Sequence, residues 1–250
     1  MRLAGQMGRE PAHVLSFGGG VNSMALAILL LRRGEPLDEA VFADTGAEAP
    51  ETYEYLEIAR SYLEGKGVPL STVRRNGEGL YETCRRRRVI PSAIWRWSTR
   101  DFKVRPIQRY YRSLNRPVVQ YLAIAYDELE RMRDTDVDYV SNRYPLVDGR
   151  VTRAECISVI ESEGLPVPPK SGCWFCPFNN LDRWQWLRST HPDLFDKAVD
   201  LEETSKHFPR QRLTDQVFRK RDEVRLRDLP LAGRPSAEAV CHPCGGECFV

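Results

Sequence analysis

The part of the sequence best suited to chemistry is a run of three glycines, Gly18 to Gly20, between two serines. An apolar stretch at 12–17 predicts a buried strand before the glycines, and residues 22–31 after them have helical periodicity. A strand that leads through bare backbone into a helix exposes N–H groups where the helix dipole favours negative charge. We therefore expect a loop that binds phosphate, the alternative being a tight turn. The candidate binding groups are Ser16, Gly18, Gly19, Gly20 and Ser23.

Cysteine spacing gives a second candidate site. Cys173 and Cys176 form a CxxC pair. Three more cysteines fall within the last ten residues: Cys241, Cys244 and Cys248. A CxxC pair with further paired cysteines far along the chain is typical of a tetrathiolate metal site, and iron–sulfur clusters and zinc share this ligand set. A redox-active CxxC is the rival interpretation, but it normally opens a helix after a strand, and the proline-rich approach at 164–172 argues against it.

The two remaining cysteines are interpreted differently. Cys156 stands on a predicted helix beside apolar residues, so we expect it to pack in the core. Cys84 precedes four arginines and is either a thiol of lowered pKa or another packing group.

Basic and aromatic residues alternate in the segment 84–106, which contains Arg85 to Arg88, Lys103 and Arg105 together with tryptophans. Cations neutralise phosphates and indoles stack on bases, so this segment is suited to a polyphosphate nucleotide, a nucleic-acid backbone or both. A solvated surface is the alternative. Asp127 and Glu128 are either a carboxylate pair or a helix cap.

Strands must alternate with helices to position these groups. Apolar runs predict strands, and periodic segments between them predict helices, one of which opens with Thr152 and Glu155 at capping-box spacing. This alternation predicts an α/β fold, a parallel sheet with helices on both faces. The predicted strands are 12–17, 39–44, 69–75 and 116–125, and the predicted helices are 22–31, 50–67, 107–114, 152–164 and 181–203. We expect a nucleotide-binding domain at 1–165 and a helical, Cys-rich region at 166–250.

Composition restricts the class of protein. The 250 residues carry a net charge of +2, so no global charge requires a polyanionic partner. The first residues lack a secretory apolar region, and no apolar run is long enough to cross a bilayer. We expect a soluble cytoplasmic protein with no membrane partner, in which cysteines are more often metal ligands than disulfides.

Four stretches carry a resemblance to a known family. "SFGGGVNS" (16–23) resembles the SGGxDS loop of the adenine nucleotide alpha-hydrolase superfamily, whose folds are Rossmann-like. "FADTGAEAPETYEYLE" (42–57) is similar to the second-strand motif of the phosphoadenosine phosphosulfate (PAPS) reductase family. "FKVRPI" (102–107) and "SGCWFCPF" (171–178) extend the likeness over most of the chain. The resemblance implies that an adenine nucleotide, ATP or PAPS, binds the chain.

By position, the resemblance also assigns residues. It places Lys103 and Arg105 at the phosphate or sulfate end of the nucleotide and Asp44 beside the nucleotide. We expect all three to be catalytic residues. The family's loop aspartate is replaced by Asn22, and an amide does not ligand Mg²⁺ as a carboxylate does, so Asp44 is the carboxylate left for a possible Mg²⁺. The implied nucleotide contacts are Ser16, Gly18, Gly19, Gly20, Asn22, Ser23, Asp44 and Thr45.

The resemblance also bears on the cysteines. Cluster-bearing members of the family have a Cys-Cys pair before Lys-Val-x-Pro and complete a 4Fe–4S site with a later CxxC, whereas this chain has Ser98 and Thr99 at the first place. The Cys-x3-Cys ending resembles that of phage and bacterial relatives, so the implied additional ligands are Cys244 and Cys248. We expect Cys173, Cys176, Cys244 and Cys248 to hold a 4Fe–4S cluster, with zinc as the alternative.

Three functions are compatible with this resemblance. In the first, the enzyme adenylates an acceptor with ATP and transfers sulfur to a tRNA or DNA, with a sulfur-donor or redox protein as partner. In the second, it is a sulfonucleotide reductase, but those enzymes carry a Glu-Cys-Gly-Leu-His-like tail, and here Cys248 is followed by Phe249. In the third, it is a non-catalytic protein that binds nucleotide or nucleic acid, which Asn22 and Ser98 favour.

Overall fold

The computed structural model describes residues 9–91, 96–205, 218 and 224–230. Five strands form one sheet in the order β3-β2-β1-β4-β5, and every neighbouring pair is parallel. This confirms the predicted α/β fold. The strands are β1 (Ala12–Ser16), β2 (Glu39–Asp44), β3 (Leu70–Arg74), β4 (Val118–Leu122) and β5 (Val140–Arg143).

Helices connect the strands and continue beyond them. A π-helical turn, Arg100–Val104, joins the short α4 to α5, and a 3-10 turn, Tyr126–Arg131, follows β4. Within the described residues no helix is long and apolar enough to span a membrane. The helices are α1 (Val21–Arg32), α2 (Pro50–Gly65), α3 (Leu80–Arg87), α4 (Trp97–Thr99), α5 (Arg105–Ser113), α6 (Pro145–Asp148), α7 (Arg153–Ser162), α8 (Leu181–Thr190) and α9 (Pro192–Thr204).

Both faces of the sheet are covered by apolar side chains. On one face, α1, α2 and α7 bury Leu26, Leu56 and Ile160 in one cluster with sheet residues. On the other face, α5 packs Ile107 and Tyr111 against the sheet. Parallel strands that are buried on both faces have the near-continuous apolar character seen in β1 and β2.

The strand order determines where a ligand can bind. The chain runs from β1 outward to β3, and β4 then returns to the other side of β1. The crevice at the carboxyl ends of β1 and β4 is therefore the topological switch point, at which open parallel sheets bind their ligands. The glycine loop lies at this point, because it directly follows β1.

Some local predictions differ from the structure. The single helix predicted over 181–203 is two helices that break at His191, whose φ of −133° and ψ of 67° are not helical. Pro192 follows the break, and a proline disfavours helical backbone in the residue before it. The sequence analysis also missed α3, a short basic helix, and β5, an edge strand of four residues.

The region after residue 165 packs on loops at the carboxyl edge of the sheet. Trp174, Phe175 and Trp184 share an apolar cluster with Leu80 and Phe102, which belong to the preceding part of the chain. This packing brings the CxxC motif to the same edge as the glycine loop.

Candidate functional site

The glycine loop adopts a conformation that only glycine accommodates without strain. Gly19 has a φ of +72°, and a Cβ atom built on it would lie 3.3 Å from Thr52 Cγ2. Gly20 is the N-cap of α1, and Ser23 Oγ donates a hydrogen bond of 2.9 Å to its carbonyl oxygen. The N–H of Gly20 donates to Ser23 Oγ at 3.2 Å. Within the described part of the chain no side chain accepts a bond from the N–H groups of the first turn of α1, so these remain available to a ligand.

A cleft opens beside this loop at the switch point. Six of the residues assigned from the sequence line it: Ser16, Gly18, Gly20, Asn22, Ser23 and Lys103. Apolar side chains form another part of the wall, among them Phe17, Phe42 and Ile124. Glu128, which the sequence analysis considered as part of a carboxylate pair or a helix cap, also lines it, and the sequence analysis assigned no role to three further lining residues, Arg153, Lys170 and Ser171.

Asn22 is held between groups of opposite charge. Its Nδ2 donates to Glu128 Oε2 at 3.0 Å, and Arg153 Nη1 donates to its Oδ1 at 3.3 Å. Arg131 Nη1 also donates to Glu128 Oε2, at 2.7 Å. An amide satisfies a carboxylate and a guanidinium at once, whereas an aspartate at this position would face Glu128 with a like charge.

Glu128 therefore brings into the cleft the carboxylate that the loop lacks at position 22. Its neighbour acts elsewhere, because Asp127 Oδ1 accepts the backbone N–H of Arg153 at 3.1 Å, at the start of α7. The two acids are thus a cleft residue and a helix-capping residue rather than a carboxylate pair.

Asp44 has a different environment from the one expected. It is buried at the end of β2, where its Oδ1 accepts bonds from Gly46 N at 2.7 Å and from the Tyr53 hydroxyl at 2.8 Å. Its Oδ2 accepts a bond of 2.7 Å from Arg74 Nε. Burial, together with this carboxylate, raises the pKa of Tyr53. Asp44 thus stabilises the turn after β2 and is not among the residues that line the cleft.

A second, smaller cavity adjoins the cleft and contains the cysteine pair. Lys103 lines both spaces, so it stands at their border. The other residues of the cavity include Thr45, Ser98, Thr99, Cys173 and Cys176. Arg105 lines neither space: its guanidinium donates to Asp101 Oδ1 at 2.9 Å, and its side chain is 60% exposed.

Glu48 is a buried carboxylate that the sequence analysis did not consider. Its Oε1 lies 3.6 Å from Lys103 Nζ, and it accepts a bond of 3.1 Å from Thr45 Oγ1. Cys173 Sγ lies 3.8 Å from the same oxygen and 3.4 Å from Thr45 Oγ1. The position of Glu48 after β2 is the sequence signal that could have identified it, because polar residues that follow the carboxyl end of a parallel strand are typical of binding sites.

One segment, Pro169–Cys176, connects the two spaces, and we name it the strap. Its backbone pairs with the loop after β2, since Ala49 N donates to Gly172 O at 3.3 Å and Trp174 N donates to Ala47 O at 3.0 Å. Ser171 lies against the glycine loop, so closely that a Cβ atom built on Gly20 would be 2.6 Å from its Oγ.

The described cysteines fall into two classes. Cys84 and Cys156 are fully buried, and burial raises the pKa of each thiol to about 12, which makes them packing groups. Cys173 and Cys176 border the second cavity. The other two expected ligands, Cys244 and Cys248, lie outside the described residues. Among the residues that the structure covers, no group of three or more His, Cys, Asp or Glu is arranged to hold a metal ion.

Comparison with known proteins gives one match to a family. Residues 12–122 match the phosphoadenosine phosphosulfate reductase domain. Two uncharacterized proteins of Methanocaldococcus jannaschii are 23% identical over 201 residues and 24% identical over 202 residues, in each case 74% of this chain. The chain spans less than half the length of these relatives, 46% and 40%.

Two solved structures are similar at low identity. A PAPS reductase from Candida auris, in its phosphate complex, has a TM-score of 0.46 at 17% identity, covering 66% of this chain and 82% of its own. The U34-tRNA thiolase NcsA from Methanococcus maripaludis, with its 4Fe–4S cluster, has a TM-score of 0.49 at 15% identity, covering 82% and 76%.

The contacts of Asn22 predict the effect of restoring an aspartate there. In the Asn22→Asp variant two carboxylates meet where the amide now donates to Glu128, so we expect the free energy of unfolding at neutral pH to fall by about 1–2 kcal/mol. The Asn22→Asp/Glu128→Gln double variant exchanges the two roles and should recover most of the loss. Urea unfolding of the original protein, the two single variants Asn22→Asp and Glu128→Gln, and the double variant measures the effect. A single variant as stable as the original protein, or a double variant no better than the single one, would contradict the assignment.

Proposed function

Because residues 12–122 of this chain match the PAPS reductase domain, we propose that the protein is an enzyme that binds an adenine nucleotide in the cleft. We further propose that it uses the nucleotide for sulfur transfer or adenylation of an acceptor. The observation that carries this proposal is the position of Lys103, which lines both the cleft and the cavity of the cysteine pair.

The cleft has the two kinds of surface that a nucleotide needs. The N-terminus of α1 and the cations Lys103, Arg153 and Lys170 favour phosphate groups. The apolar part of the wall, which includes Phe17 and Phe42, is suited to a flat base. Their arrangement supports a nucleotide that lies with its phosphates at the loop.

In the proposed reaction an oxygen of the acceptor attacks the α-phosphorus of ATP. A P–O bond to the acceptor forms as the bond to pyrophosphate breaks. Hydrosulfide released by a donor protein then forms a bond to the activated acceptor atom as the bond from that atom to the bridging oxygen breaks, so AMP leaves with this oxygen and no oxidation state changes. The loop N–H groups and the cleft cations stabilise the negative charge on the departing pyrophosphate. Lys103 is placed to stabilise charge at the end of the cleft that faces the cysteine pair.

The cysteine pair fits a thiolate-ligated metal group. Cys173 and Cys176 border one cavity with Lys103, and thiolates are the ligands that both iron–sulfur clusters and zinc prefer. Our proposal assigns the remaining ligands to Cys244 and Cys248. A 4Fe–4S cluster bound there would supply a soft site for a sulfur atom, and zinc would keep the site without redox chemistry.

The acceptor in this proposal is a tRNA or DNA. The C-terminal end of α3 presents Arg85, Arg86 and Arg87 with Arg88 after it, and all four side chains are exposed. This helix packs on the same apolar cluster as the strap, so its cations lie on the side of the molecule that bears the cysteine pair. Exposed arginines in such a row are suited to a phosphate backbone.

A substitution at Gly20 tests nucleotide binding. Gly20 has an extended backbone with a φ of −116°, which alanine also adopts. In the Gly20→Ala variant the added methyl meets Ser171 Oγ, so we expect ATP affinity in calorimetry to fall at least tenfold. The loss of one charge-assisted hydrogen bond, about 1.5–3 kcal/mol, is enough for this effect. Gly65→Ala is the matched control, because no atom lies within 4 Å of a Cβ built there. If both variants bind ATP with equal affinity, the assignment of the nucleotide site to this loop is wrong.

Turnover separates the candidate functions. ATP incubated with the protein, a tRNA or DNA acceptor and a sulfur donor should give AMP and pyrophosphate. Binding of PAPS with reduction to sulfite would assign the sulfonucleotide reductase activity instead. Nucleotide binding without turnover under either condition would support the non-catalytic alternative.

Metal content tests the ligand assignment. Anaerobically prepared protein should contain iron and acid-labile sulfide, and each Ser variant of Cys173, Cys176, Cys244 and Cys248 should lose most of both. The Cys241→Ser and Cys156→Ala variants are controls that should keep the original content. Stoichiometric zinc in a colourless protein would show that the site holds zinc instead of a cluster. Full metal content in the Cys244 and Cys248 variants would refute the ligand set.

A further inference from the structure

Lys170 is a largely buried residue at the cleft. Only 8% of the residue is exposed, and it lines the cleft together with its neighbours Pro169 and Ser171. Among the described residues no hydrogen bond or ion pair involves its Nζ, although its carbonyl oxygen accepts a bond of 3.4 Å from Arg183 Nη2. A lysine that lines a cleft at the N-terminus of a helix, with no counter-charge among the described side chains, is suited to bind an anion there.

The strap holds this lysine in place. Arg183 is itself buried and stacks on Trp186, with its guanidinium carbon 3.6 Å from the ring centre. Two residues further along the strap, Gly172 O accepts the bond from Ala49 N. Lys170 is therefore fixed from both sides, and its neighbour Ser171 contacts the glycine loop.

The other charged groups of the cleft already have protein contacts. Arg153 donates to Asn22, Lys103 lies beside Glu48, and Glu128 accepts bonds from Asn22 and Arg131. Lys170 differs from them, because its counter-charge is not among the described side chains. The N-terminus of α1 lines the same cleft, and within the described part of the chain no side chain accepts a bond from the N–H groups of its first turn.

We propose that Lys170 and Ser171 complete a phosphoryl subsite with the N-terminus of α1. The ligand is a phosphate or pyrophosphate group, and its oxyanion is the counter-charge of the Lys170 ammonium. This inference rests on the proposed function and adds the strap to the nucleotide site. Because Cys173 follows Ser171 by two residues, a bound phosphoryl group holds the cysteine pair against the glycine loop.

The Lys170→Met variant tests the proposal by ligand binding. Its affinity for ATP and for inorganic pyrophosphate in calorimetry should fall at least tenfold, while its circular dichroism spectrum stays that of the original protein. Binding of adenosine, which has no phosphate, should not change. Lys170→Arg should keep most of the affinity, and Lys197→Met, at a lysine whose side chain is 50% exposed, is the control.

The outcomes separate this inference from the proposed function. If the original protein binds ATP and the Lys170→Met variant binds it equally well, the subsite is wrong and the proposed function stands. If the original protein binds pyrophosphate through Lys170 but binds neither ATP nor PAPS, the subsite stands and the proposal of an adenine-nucleotide enzyme is wrong. Failure of the original protein to bind any phosphate ligand would overturn both.

Discussion

The backbone pairing between residues 47–49 and 172–174 is the constraint on which the site depends. Two backbone hydrogen bonds, one on each side of the antiparallel pair Glu48 and Cys173, join the loop after β2 to the strap. The partners are more than 120 residues apart in sequence, so the pairing depends on the apolar cluster beneath it. Through this pairing the CxxC motif, the buried Glu48 and the glycine loop share one edge of the sheet.

Charge is distributed unevenly along this edge. At the end near α7, Asn22, Glu128, Arg131 and Arg153 form a network of contacts within the protein. Glu48 and Lys103 lie together near the cysteines, and Lys170 lines the same cleft without a counter-charge among the described side chains. The four cations at this edge outnumber its two acids, so the site is preorganised for an anion, because its groups need little rearrangement on binding.

The sequence predicted the features that a local pattern determines. Apolar runs identified β1 to β4, and the glycine run after β1 identified the loop, because both signals lie within a few residues. β5 was missed because a four-residue strand with polar residues at its centre has too short a pattern, and the break at His191 was missed although Pro192 marked it.

The rest of the site comes from tertiary packing. Asp44 was expected to face the nucleotide, but the fold pairs it with Arg74 and brings Glu128 to the cleft instead. Lys170 had no motif of its own, and its importance comes from burial in the folded chain. Ser98 and Thr99 were identified by comparison with a family pattern, and the structure places them in the cavity of the cysteine pair.

Hydrogen exchange with and without ATP tests most directly whether the glycine loop and the strap form one site. The account predicts that ATP slows amide exchange in 18–21 and in 171–174 together, at the same ligand concentration, and that adenosine does not. Protection of the loop without the strap, or of neither segment in protein saturated with ATP, would contradict it.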